Sequence, residues 1–128
     1  MAKILIVDDE EPIVALMKFI LEKVGHTVAT AYNGQAALQA LGVEPQDPAV
    51  ALPDLVILDV MMPIMDGYTA AVAIRNHPRT ADLHLLVITA KGDMRQLFEA
   101  IPTVVGFFEK PFDPKRLREI IAQVVPAQ

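Results

Sequence analysis

The chain has 128 residues, which at ordinary domain sizes means one domain with room for a real core. It has no cysteine, which excludes disulfide frameworks, thiolate zinc sites and cysteine nucleophiles, and its three histidines (His26, His77, His84) stand at no metal-ligand spacing. The net charge of −5 argues against non-specific nucleic-acid binding. Although 53% of the residues are hydrophobic, no apolar run approaches the roughly 20 residues of a membrane helix, and the first residues have no signal-peptide layout, so a cytoplasmic protein with no membrane or direct nucleic-acid partner is expected.

Ile4–Val7 is a short unbroken run of β-favouring residues, the signature of a strand buried on both faces, and it ends at Asp8-Asp9. Glu10-Glu11-Pro12 opens a helix, with carboxylates suited to the helix dipole and proline in the first turn. Ile13, Leu16, Met17, Ile20, Leu21 and Val24 predict its apolar stripe, and Gly25 a left-handed C-terminal cap. Thr27–Ala31 is a weaker strand, and Asn33-Gly34 starts a short helix through Leu41. Gly42–Pro53, with three prolines, reads as a loop. Leu55–Leu58 is a second buried strand, ended by Asp59, and Asp66-Gly67 precedes a helix to Asn76. Leu85–Ile88 is a third, ended by Thr89. Asp93–Ala100 predicts a short helix and Val104–Glu109 a last strand. Asp113-Pro114 caps a final helix with Leu117, Ile120, Ile121 and Val124 on one face.

This alternation is a (βα)5 pattern, which implies an α/β fold: a parallel sheet with helices on both faces. In the common flavodoxin-like strand order 2-1-3-4-5, strands 1 and 3 are neighbours and the site lies at the carboxyl ends of the strands. That order gathers Asp8, Asp9 and Asp59, with Thr89 and Lys110 alongside. The charge distribution agrees: residues 1–64 carry three bases and nine acids, residues 65–128 eight bases and seven acids. Taken singly, Asp8 and Asp9 suit a helix start, Asp59 a turn, Thr89 a strand and Lys110 a solvated surface. Taken together they demand a cation, because two carboxylates about 4 Å apart repel by around 4 kcal/mol at an effective dielectric near 20. Hard oxygen ligands suit Mg²⁺. A carboxylate beside a metal, a hydroxyl and a lysine has the parts for phosphoryl transfer.

The segments Ile4–Glu10, Asp54–Gly67, Val87–Ala90 and Phe107–Phe112 resemble, in order and position, the receiver domain of two-component response regulators. The resemblance spans nearly the whole chain. It implies one receiver domain over 1–128 with Asp59 as phosphoacceptor, supplied by a phosphohistidine on a sensor histidine kinase or histidine phosphotransfer protein. Asp9, Asp59 and the backbone carbonyl of Met61 would ligate Mg²⁺, and Asp8 would act mostly through water. Thr89 would turn toward the phosphoryl group, Lys110 would offset its charge, and Phe107 matches the switch aromatic. The Lys110-Pro111 bond is expected to be cis, as is usual in the family. Such a module switches the binding of a downstream protein and is not an enzyme in the ordinary sense.

Some features depart from the family pattern. The Gly42–Pro53 loop is longer than usual, Ile101–Gly106 replaces the usual turn before the last strand, and Asp93–Ala100 is short. Met61 and Lys91, two residues past Asp59 and Thr89, flank the path of hydrolytic water in the family and would lengthen the phosphoryl lifetime. A phosphohydrolase with an aspartyl nucleophile commonly needs an acid where Met61 stands. A flavin site needs a phosphate loop where Asp8–Glu11 would repel it. The remaining alternative is a receiver-like interaction module that works without phosphorylation. The chain ends just past the last helix, so a stand-alone receiver is expected, or a domain of a larger protein.

Overall fold

The computed structural model describes residues 2–89, 95–110 and 113–124. Ten elements alternate along the chain: β1 (Lys3–Val7), α1 (Glu11–Lys23), β2 (Thr27–Ala31), α2 (Gly34–Ala40), β3 (Leu55–Asp59), α3 (Gly67–Asn76), β4 (His84–Thr89), α4 (Arg95–Phe98), β5 (Val104–Glu109) and α5 (Pro114–Val124). The five strands form one parallel sheet in the order β2-β1-β3-β4-β5, as the (βα)5 pattern predicts.

Side chains of the central strands alternate between two apolar layers, as the period of two requires. Leu5, Val7, Val56, Leu58, Leu85 and Val87 join α2, α3 and Phe98 of α4 in one layer. Ile4, Ile6, Leu55, Ile57, Leu86 and Ile88 join α1 and α5 in the other. The register slips between Leu85 and Leu86, which pair with Val104 and Gly106, so Val105 is an extra residue in β5. This bulge brings Phe107 opposite Val87 and hence onto the α3–α4 side of the sheet.

Local signals set the helix ends. Asn33 Oδ1 accepts a 2.7 Å hydrogen bond from Ala36 N, and Asp66 Oδ1 one of 2.8 Å from Thr69 N. Asp113 Oδ1 accepts from Lys115 N at 3.0 Å. Gly25, at φ 101°, closes α1: its N–H donates to Glu22 O and that of His26 to Leu21 O.

Two expectations need correction. α1 buries Val14, Met17, Ile20 and Leu21, while Leu16 and Val24 are 43% and 40% exposed. Its apolar residues run round too much of the helix for spacing to select the inward face. α4 ends at Phe98, where a helix to Ala100 is expected; its described part is Arg95–Phe98, and residues 93 and 94 lie outside it.

The long loop before β3 is fastened at the sheet end opposite the site. The Arg79 guanidinium donates to the carbonyls of Leu41 (3.4 Å), Asp47 (3.1 Å) and Val50 (2.5 Å).

Candidate phosphoacceptor site

Four strand ends meet at the carboxyl edge of the sheet. Asp8 follows β1, Asp59 closes β3, Thr89 closes β4 and Lys110 follows β5. Asp8, Asp59 and Thr89 are buried, at 0%, 3% and 1% exposure. Backbone bonds fix these ends to one another: Lys110 N donates to Thr89 O at 2.9 Å and Val60 N to Ile88 O at 3.1 Å. Asp8 Oδ1 accepts from Glu10 N at 2.9 Å, which orients the carboxylate at the start of α1.

Lys110 is the hub. Its Nζ lies 2.9 Å from Asp8 Oδ2, 2.9 Å from Glu10 Oε1 and 3.4 Å from Asp59 Oδ1. Burial alone would lower the pKa of this ammonium, but its contacts with Asp8 and Glu10 and the charge of Asp59 outweigh burial and raise it. Asp59 is pushed up to about 7, first by burial and then by the charge of Asp8. Lys110 works against that rise, and Asp9 adds a little to it.

The loop after Asp59 doubles back tightly. A Cβ on Gly67 would stand 2.1 Å from the Asp59 carbonyl oxygen, so only glycine fits there, and its N–H donates to Val60 O at 2.8 Å. At the tip of the loop, Met65 N donates to Pro63 O at 2.7 Å across Ile64, whose φ is 69°. That is a classic-type γ-turn, a rare and strained conformation for a β-branched residue. Ile64 is 81% exposed and Met61, beside Asp59, 67%.

The residues fit a divalent cation. Carboxylate oxygens of Asp8, Asp9 and Glu10 lie within 4.8 Å of one another. Asp8 Oδ2 is buried and receives the ion-pair contact of Lys110 but no well-directed hydrogen bond. With Asp59, these are, among the described residues, four carboxylates of hard oxygen donors against one ammonium. Asp8, Asp59 and Lys110 come together as expected, with Thr89 on the adjoining strand end. Asp9 is exposed at the rim, and Phe107 lies half-buried on the α3–α4 side. The contact of Glu10 with Lys110 is the feature that sequence reasoning missed: Glu10 reads there as a helix-start acid, and nothing in a helix-start signal shows what its side chain reaches. Pro111, with its expected cis bond, and Lys91 lie outside the described residues.

Over residues 4–122 the chain matches the family model of the response regulator receiver domain. The chain belongs to that family. Among solved structures, this receiver is similar to the chemotaxis response regulator CheY4 of Vibrio cholerae (31% identity, TM-score 0.84, 98% of this chain and 99% of that one). It is also similar to the response regulator TrrA of Thermotoga maritima, solved in complex with Mg²⁺ and BeF (30%, TM-score 0.80, 98% and 100%). Among curated proteins it is 36% identical over 125 residues to the DNA-binding dual master transcriptional regulator RpaA of Synechocystis, covering 97% of the receiver and 48% of RpaA. The receiver thus spans about half the length of the curated transcriptional regulators it matches. Among the described residues, no helix is long and apolar enough to cross a membrane.

Proposed function

We propose that this receiver takes a phosphoryl group onto Asp59 from a phosphohistidine of a sensor histidine kinase or histidine phosphotransfer protein, and that the modification switches binding to a downstream protein. The expected setting is the cytoplasm. The observation that carries the reading is Asp59 itself. It is a carboxylate 3% exposed at a strand end, with Lys110 Nζ 3.4 Å from one oxygen and Asp8 beyond.

An Asp59 oxygen attacks the phosphorus, the P–N bond breaks, and the electron pair leaves with the imidazole, which takes up a proton from solvent. Lys110 offsets negative charge on the phosphoryl oxygens, and the Thr89 hydroxyl donates to one of them. Ionised Asp59 is the nucleophile, so the upward push on its pKa is a barrier that a bound cation would lower. Asp9, Asp59 and the Met61 carbonyl would hold Mg²⁺, with Asp8 acting mostly through water. When bound, the ion would supply charge neutralisation at the phosphoryl oxygens. The chain acts once per phosphoryl group, and the output is a binding change, which fits a signalling module rather than a turnover enzyme. The domain assignment 1–128 follows from the same reading.

Incubation with acetyl phosphate and Mg²⁺ tests it. Intact mass should rise by one phosphoryl group, and Asp59→Asn or EDTA should abolish the gain. A wild type that folds but gains nothing would turn the reading to a phosphorylation-independent interaction module.

A further inference from the structure

An aromatic chain leads from the loop of the acceptor to the edge of the sheet. Tyr68, next to Gly67 in the first turn of α3, meets Phe98 edge to face, with centroids 5.6 Å apart and planes at 83°. Phe98 meets Phe107 in the same manner, at 6.1 Å and 73°. The Arg95 guanidinium then covers the Phe107 ring at 5.2 Å from its centroid. Phe98 is 1% exposed and is the single buried residue in the described part of α4, whereas Arg95 is exposed. Among the described residues of α4, Phe98 and Arg95 make the ring contacts that join it to β5.

Phe107 lies on the strand that leads directly to Lys110, whose ammonium faces Asp59. In β5, Phe107 pairs with Val87 and Glu109 with Thr89, and Lys110 follows directly. A phosphoryl group on Asp59 brings strong acceptor oxygens to Lys110 and Thr89 together. Lys110 must then share the ammonium now divided among Asp8, Glu10 and Asp59. Such re-partnering acts on the ends of β4 and β5, and the exposed cation–π contact is the weakest joint in the chain behind them.

We propose that Arg95 is a positioning residue of the acceptor site: its guanidinium clamps Phe107 and holds β5 and α4 in the unphosphorylated arrangement. The clamp opposes occupation of Asp59 and releases when the site fills. This rests on the reading of Asp59 as phosphoacceptor.

Titration of the whole chain with beryllofluoride and Mg²⁺, a phosphoryl mimic, tests it on the wild type, Arg95→Ala and Arg95→Lys. Loss of a cation from the neighbourhood of an anionic ligand would by simple electrostatics weaken binding. Release of the clamp acts the other way, so Arg95→Ala should tighten apparent affinity about two- to fivefold. Arg95→Lys, which keeps a cation over the ring, should stay near the wild type. Circular dichroism establishes that each variant is folded. Unchanged or weaker binding by Arg95→Ala, or an equal effect of Arg95→Lys, would overturn the clamp alone. A folded wild type that fails to bind the mimic would overturn the acceptor reading and the clamp with it.

Discussion

Asp59 sets the fold against the function proposed for it. Its pKa of about 7 in the folded chain, against an ordinary value near 4, means that the fold disfavours the ionised form. The sign follows. At pH below about 4 the group is neutral both folded and unfolded and costs nothing. As pH rises from about 4 to 7 the unfolded chain ionises first and stability falls. Above about 7 the full cost is present, up to roughly 4 kcal/mol without a cation. Asp59→Asn should therefore exceed the wild type in Tm by more at pH 8 than at pH 5, measured by calorimetry in EDTA; an excess independent of pH would refute this. Ile64 carries a different cost. Its left-handed γ-turn costs a β-branched residue about 1–2 kcal/mol, and the entropy of glycine gives back about 0.5–1 of any relief. Ile64→Gly should thus stabilise the fold by up to about 1.5 kcal/mol in urea unfolding at unchanged m-value, and a loss of stability would count against the strain.

At the scale of elements, β1, β3 and β4 were legible because parallel strands buried on both faces read as short unbroken apolar runs ending at acids or threonine. The helix starts at Asn33, Asp66 and Asp113 were legible because a cap is local chemistry between a side chain and an amide two or three residues on. The inward face of α1 was not, since Leu16, Phe19 and Val24 are apolar yet exposed and blur the period. Nor was the Val105 bulge, which is set by pairing with β4 and decides which layer Phe107 joins. The site followed from strand order, so Asp8, Asp59 and Lys110 could be placed by topology, whereas the reach of Glu10 to Lys110 depends on a rotamer. The fastening of the long loop was equally invisible, because the three carbonyls that Arg79 binds are backbone. Arg79→Ala should leave those carbonyls to solvent, cost about 1–3 kcal/mol, and speed proteolysis within residues 43–53. Labelling by acetyl phosphate should stay at the wild-type rate. Unchanged proteolysis would show that the loop holds itself.

For the whole molecule, the charge imbalance of the first half acquires a location. Of its nine acids, Asp8, Asp9, Glu10 and Asp59 stand at one edge of the sheet, where Asp8, Glu10 and Asp59 surround Lys110 of the second half. Both halves are therefore needed to build one site, which agrees with a family match over residues 4–122. The apolar layers on the two sides of the sheet share the same central strands, so neither layer can form without the other's backbone. The meeting of four strand ends has a further consequence. A slip of one residue in β3 would exchange its two faces and carry Asp59 away from Lys110. On the reading of Asp59 as phosphoacceptor, an incompletely assembled chain consequently lacks the acceptor in its place, its counter-charge or both. On that reading chemical competence is a certificate of folding: a damaged or half-made copy stays silent and sends no false message.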